Sequence, residues 1–377
     1  MSQFYQSIDG ADCPEWDHIE PAYQPLGTQY RQVFGRSPIP LLRRRIEHKP
    51  AIRLALNKGD SSIKIGRMTP MVDLQVNGFA GIDFNQDALT AEQLHRACEL
   101  ISAHGVEAIL ATIITEKIEV MAHRLENLAR LRESDPQARR IIAGIHIEGP
   151  FLSPEPGYRG AHPVEAIHSA NVDEMQRLLD ATRGLTRVVT LAPESDPQYR
   201  VTKMLAGQKI VVSGGHCNPS LDQLRAGIDA GLQMFTHLGN GCPMQMSRHD
   251  NIIQRVLSQA DKLWLCFIAD GVHVPFFTLR NYLKTAGIDR CIVVSDAMAA
   301  AGLGPGRYNL SRWEVTVDQD LAAWAPDRSH LVGSAITLRQ SFTNLTTQVG
   351  LSDASALRLT STNPRLAIGL NPSSTNG

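Results

Sequence analysis

The chain has 377 residues, 43% hydrophobic and 20% charged: ample material for a large buried core, and too apolar for general disorder. Thirty-seven basic residues stand against 38 acidic ones, and a net charge of −1 gives no reason to expect nucleic acid or an anionic membrane as partner. No apolar run is long enough to span a bilayer, and the start, Met1-Ser-Gln-Phe-Tyr-Gln6, has no leader character, so a cytoplasmic location is expected. The cysteines Cys13, Cys98, Cys217, Cys242, Cys266 and Cys291 form no C-x-x-C pair, which fits reduced, mostly buried thiols.

Residues 1–69 are proline-dotted, carry the basic run Arg43-Arg44-Arg45 and lack a strand rhythm. They are expected to form an N-terminal extension ahead of a unit spanning 70–377, with the basic run as a solvated helix face. From Met71 the texture changes. Near-continuous apolar runs at 71–76, 106–113, 141–147, 186–191, 209–213, 233–237, 263–269 and 291–295 read as strands covered on both faces. Helix signals lie between them. Thr90-Ala-Glu-Gln93 is a capping box followed by Leu94, Ala97, Cys98 and Ile101 on one face, then Gly105. Asn171 opens a helix with Met175, Leu178 and Leu179 inward. Ser220-Leu-Asp-Gln223 is a second capping box, with Leu224 and Ile228 inward and Gly231 beyond. Eight strands alternating with helices predict an α/β fold, a parallel (β/α)8 barrel of the TIM type. The competing open doubly wound sheet often carries a Gly-x-Gly-x-x-Gly loop after its first strand, and none follows Val76.

In such a barrel the chemistry sits at the C-terminal ends of the strands. The polar residues there include Gln75 and Asn77, His146 and Glu148, His216, His237 and Asn240, Asp270 and His273, and Asp296. Glu148, His216 and His237 form a plausible ligand set for a catalytic zinc ion, with a fourth position left for water. Each of them alone also fits a hydrogen-bonded structural role; three at matching strand ends support one another. Asp296 fits a proton acceptor for metal-activated water, or a helix N-cap. His273 fits a donor to a polarised carbonyl or a sugar hydroxyl, or a simple loop histidine. His146, two residues before Glu148 on the same strand face, reads as a packing or supporting residue.

The segments Asp73-Leu-Gln-Val-Asn-Gly-Phe-Ala-Gly-Ile-Asp-Phe-Asn85, His146-Ile-Glu-Gly-Pro-Phe-Leu152, Gly160-Ala-His-Pro163, Gly215-His-Cys-Asn218, Thr236-His-Leu-Gly-Asn240, Ile268-Ala-Asp-Gly-Val-His273, Val294-Ser-Asp-Ala297 and Gly333-Ser-Ala335 resemble, in order, those of the N-acetylglucosamine-6-phosphate deacetylases of the amidohydrolase superfamily. The resemblance implies metal-dependent hydrolysis of an acetamide on an amino-sugar 6-phosphate, in a homodimer. It implies one divalent metal, zinc or another such as iron(II), on Glu148, His216 and His237. Gln75 and Asn77 stand where the superfamily often has His-x-His, so they are expected to be vestigial second-metal positions. Asp296 would act as base and then acid, and His273 would contact the acetyl carbonyl or nearby sugar oxygens. His162 would touch a sugar hydroxyl, Asn240 and Gly241 would lie near the phosphate, and Arg248 would reach it across a dimer interface. The small β-sandwich usual in the family is expected to be missing or rebuilt. Gly239 and Gly241 would leave the sugar pocket wider. The alternatives are another N-acylated sugar, unphosphorylated included, or a cyclic amide as substrate, and, in a different class, a catalytically silent sugar-phosphate-binding barrel.

Overall fold

The structure, a computed structural model, describes residues 70–310, 313–326 and 331–370. The extension expected over residues 1–69, with its basic run, lies outside the described residues. Eight parallel strands form the barrel in chain order: β1 Met71–Val76, β2 Val106–Ile114, β3 Ile142–Glu148, β4 Thr186–Leu191, β5 Val211–Gly214, β6 Leu232–Phe235, β7 Trp264–Ile268 and β8 Cys291–Val294. Every expected run is a strand, with ends shifted by at most two residues. The ring is joined just past its upper rim, where Val76 pairs with Ala297 and the Asn77 and Gly78 N–H groups donate to the Ala297 carbonyl at 2.7 and 3.1 Å.

The apolar character of the strands follows from their double burial. Val72, Leu74, Ala108, Leu110, Val188, Met234, Ile268, Ile292 and Val294 fill one cluster. Ile109, Ile113, Ile145, Ile147, Val189, Leu265 and Val293 belong to a second, shared with the helices. Alternation along a strand sends neighbours to opposite faces, and both faces here are covered. The helices start where their caps predict. Helix α1, Ala91–Ala103, has the Thr90–Gln93 capping box and buries Leu94, Ala97, Cys98 and Ile101. Of the helices that follow, α2 Ile118–Ser134 and α3 Pro136–Ile141 lie between β2 and β3. Helix α4, Val172–Ala181, is capped by Asn171 and buries Met175, Leu178 and Leu179. After α5, Arg200–Gly207, helix α6, Leu221–Ala230, carries the second capping box; Leu224 is buried, whereas Ile228 is only partly so. Helices α7 Ile252–Leu257 and α8 Phe276–Ala286 complete the barrel wall before β8.

The eight-strand expectation is met but incomplete. After β8 the chain forms a four-stranded antiparallel sheet: β9 Gly306–Leu310, β10 Trp313–Val317, β11 Ala322–Trp324 and β12 Leu331–Ser334. Its buried side, Val315, Val317, Ala323 and Val332, packs with Met298, Ala299 and Ala300 of the loop after β8. It is stitched to that loop by Ser334 N–H to the Asp296 carbonyl (3.2 Å) and Met298 N–H to the Ser334 carbonyl (2.9 Å). The sheet is therefore fastened to the segment that carries Asp296. No helix among the described residues is long and apolar enough to cross a membrane.

Candidate active site

Glu148 is the last residue of β3; His216, His237 and Asp296 each lie two residues beyond the last residue of β5, β6 and β8. The latter three have positive φ, 49°, 25° and 49°. Non-glycine residues seldom adopt that region, at a cost of about 1–3 kcal/mol each, and such strain gathers at working sites. The strain turns each side chain off its strand and over the barrel mouth. Gly160 and Gly241 press the neighbouring loops onto His216: a Cβ on either would come within 3.0 and 2.9 Å of the ring. At Gly241 the glycine is thus required by close approach to His216. It lines the cavity with Gly239, but space for sugar is not the only reason for its small size.

Glu148, His216 and His237 are brought together as the sequence suggested. His216 Nε2 and His237 Nε2 are 3.1 Å apart, and they stand 3.3 and 3.1 Å from Glu148 Oε1. Donors about 2.0–2.2 Å from a tetrahedral ion lie about 3.3–3.6 Å from one another, so the triangle has nearly the right size. Its chemistry also fits. The His216 Nδ1–H donates to the Tyr158 carbonyl at 2.9 Å, which leaves a lone pair on Nε2. A second imidazole nitrogen and a carboxylate oxygen then face that lone pair in a buried site, an arrangement that calls for a cation between them. Burial alone would raise the Glu148 carboxyl, but the His216 and His237 rings beside it prevail and hold it well below the carboxylate range. His237 is raised: burial opposes its charge, but the Glu148 contact overcomes it. His162 is a near fourth. One of its ring nitrogens lies within 4.8 Å of ligand atoms of Glu148 and His216, and its ring meets His216 edge-on with centroids 4.4 Å apart.

Gln75 and Asn77, expected as vestigial positions, hold the two carboxylates of the site. Gln75 Nε2 donates to Glu148 Oε2 at 3.0 Å while Gln75 Oε1 accepts from the Thr236 hydroxyl at 2.6 Å. Glu148 is thereby oriented with Oε1 toward the histidines. Asn77 Nδ2 donates to Asp296 Oδ1 at 2.8 Å. Burial and the charge of Glu148 push Asp296 up to about 6, against the opposing pull of His237, His273 and Asn77. Asp296 is no simple helix cap: the segment after it runs into the inserted sheet and not into a helix.

The remaining candidates divide. His273 lines the same cavity, and its Nδ1 lies 2.5 Å from Asp270 Oδ2. His162, Asn240 and Gly241 line it too. His146 is buried beneath, with Nδ1 3.1 Å from the Leu74 carbonyl and Nε2 2.7 Å from the Thr190 hydroxyl, and burial pushes it down. That is the supporting place its position predicts. Arg248 is not brought in: it is exposed and absent from the cavity wall. Asp270 and Tyr158, the partners of His273 and His216, carried no role in the sequence reading. Asp270 could have been suspected from its spacing, three residues before a histidine in a turn.

The cavity measures about 730 Å³, a size typical of small-molecule sites. The polar residues above form one part of its wall, and Met298, Ala299, Trp324, Leu331, Val332 and Gly333 form an apolar part supplied by the inserted sheet and its anchoring loop. No lysine or arginine is among the described residues that line it.

No family model matches the chain. Its relatives, however, agree with one another. A human N-acetylglucosamine-6-phosphate deacetylase is 34% identical over 316 residues, covering 80% of this chain and 74% of the relative. An N-acetylgalactosamine-6-phosphate deacetylase of Escherichia coli O157:H7 is 30% identical, covering 79% and 77%. Among solved structures, a mutant N-acetyl-D-glucosamine-6-phosphate deacetylase of Mycobacterium smegmatis, in complex with N-acetyl-D-glucosamine-6-phosphate, is 31% identical with a TM-score of 0.72, covering 80% of this chain and 78% of that one. With the barrel and its strand-end site already in place, these likenesses show that the chain belongs to the N-acetylglucosamine-6-phosphate deacetylase family of amidohydrolases.

Proposed function

We propose that the protein hydrolyses the acetamide of N-acetyl-D-glucosamine 6-phosphate, consuming one water and releasing acetate and glucosamine 6-phosphate, in cytoplasmic amino-sugar catabolism. The observation that carries this reading is the triangle of Glu148, His216 and His237 with Asp296 facing the same cavity. Those three residues would hold a single divalent ion, zinc or iron(II), both of which accept two imidazoles and a carboxylate. A metal so bound polarises an acyl oxygen and acidifies water.

The chain's own groups do the rest. Asp296 accepts the proton of the attacking water and returns it to the departing nitrogen. A carboxyl raised by burial is a stronger base and takes that proton more readily than an exposed one. Asn77 fixes the carboxylate's direction throughout by its bond to Oδ1. Gln75, in the same way, keeps Glu148 Oε1 on the histidines. His162 and Asn240, with the backbone at Gly241, face sugar and phosphate oxygens. Exposed Arg248, with a guanidinium fork suited to phosphate, is the candidate for a charge brought to it by a second copy of the chain.

A second reading is favoured by the galactosamine-type relative: the epimer at C4 as substrate. Acetate release from the two N-acetylhexosamine 6-phosphates and their unphosphorylated forms, measured alongside metal content, separates the readings. Turnover of neither phosphate by metal-loaded protein would overturn both.

A further inference from the structure

Asp270 lies two residues beyond Ile268, the end of β7, and its side chain is fully buried. All its bonds go to one short turn. Oδ1 accepts the backbone N–H groups of Val272 and His273, both at 2.9 Å, and Oδ2 lies 2.5 Å from His273 Nδ1. The turn itself has little freedom. Gly271 sits at φ 80°, where a Cβ would come within 2.5 Å of the Phe276 ring, and Asn344 Nδ2 holds the Ala269 carbonyl at 2.9 Å. Burial would push Asp270 up, but the bonds from His273 hold it below the usual carboxylate range, so it is an acceptor and not a donor.

A carboxylate accepts only, so the proton of the shared bond belongs to Nδ1. In the neutral ring Nε2 is then a bare lone pair; it carries a proton only when the ring is charged. His273 lines the cavity, and Nε2 is the polar atom it has left to offer. Toward a substrate the residue is therefore either an acceptor for a hydroxyl or amide N–H, or a cationic donor to an anionic oxygen. A neutral ring that donates to a carbonyl, the simplest version of the role expected from sequence, needs the other tautomer.

We propose that Asp270 is a positioning residue for the reaction: it denies His273 the neutral-donor tautomer and so makes any donation to substrate conditional on a second proton. Asp270 is buried and does not line the cavity, so it acts through His273 alone. The turnover arm rests on the proposed deacetylase reading; the tautomer arm does not.

The test uses zinc-loaded protein with ¹⁵N-labelled histidine. The His273 signals, assigned by loss in His273→Asn, should show the neutral ring protonated at Nδ1. In Asp270→Asn the amide oxygen can still accept the two backbone N–H groups while the amide N–H₂ donates to Nδ1, so the proton should move to Nε2. The same variant should lose at least 10-fold in kcat/KM, as expected when a carboxylate that fixes an imidazole tautomer is removed. An Nε2-protonated neutral ring in the unsubstituted protein would overturn the proposal without any variant. An unmoved tautomer or full turnover in a folded Asp270→Asn would also overturn it. An inactive unsubstituted enzyme with the expected tautomer would instead count against the deacetylase reading.

Discussion

At the scale of single residues, the site is held by pairs in which a neutral amide orients a carboxylate. Asn77 points Asp296, and Gln75 points Glu148. Two outcomes follow. Asp296→Asn keeps the acceptor for Asn77 but removes the carboxylate proposed to take the proton. It should retain metal and lose at least about 10³-fold in kcat, within the range of general acid–base catalysis; acetate release and metal analysis on one preparation check both halves. Gln75→Leu keeps the volume but strands Glu148 Oε2 and the Thr236 hydroxyl. Metal affinity, read by chelator competition, should weaken about 10–100-fold, the usual cost of losing a partner that orients a ligand. Unchanged affinity would show that Glu148 needs no such support. The ligand candidates were legible in the sequence because strand-end positions in a barrel converge by topology. The amide pairs were not: a glutamine and an asparagine at the strand-one positions read as lost metal ligands, and only three-dimensional contact assigns them other work. Asp270 escaped for the same reason.

At the scale of elements, a buried acid adds one more link between the first and last strands of the ring. Asp73, in β1, accepts the Ser295 N–H just beyond β8 at 3.1 Å. Burial outweighs its bonds to Ser295 and Gln75 and raises it from 3.8 to about 7. In an acid raised by folding, the protonated form is the one the fold favours. Its contribution is fully present below about 3.8 and drains as pH climbs toward 7, because the unfolded chain ionises first. Melting temperature in Asp73→Asn, whose amide still accepts from Ser295, should therefore fall less across that window than in the unsubstituted protein. Superimposable pH profiles would show that Asp73 does not titrate differently in the folded chain. Here the sequence was informative about β1 to β8, since doubly buried strands are written as apolar runs. It was silent on β9 to β12. Those strands are short and covered differently on their two sides; Glu314 is exposed beside buried Val315. The alternation in Trp313-Glu-Val-Thr-Val317 was the available signal. The apolar part of the cavity wall was missed along with the sheet.

At the scale of the whole molecule, the question is where the charge that meets a phosphate comes from. No basic side chain lines the cavity among the described residues, and Arg248 is exposed outside it. Under the proposed arrangement two copies share each site, and Arg248 of one serves the cavity of the other. Arg248→Ala should then raise KM for the phosphorylated sugar and leave the unphosphorylated one unaffected. Mixing makes the trans geometry testable. Asp296→Asn alone lacks the base and Arg248→Ala alone lacks the cation, but in a mixed pair one cavity has its own Asp296 and receives Arg248 from the partner. After subunit exchange of equal amounts, half the pairs are mixed and one cavity in each is complete, so about a quarter of all cavities should regain low-KM turnover. If Arg248 instead folds over its own cavity, no combination restores both groups to one site, and the mixture performs as the sum of its parts. A particle that sediments as a monomer at assay concentration would remove the trans route before any kinetics were run.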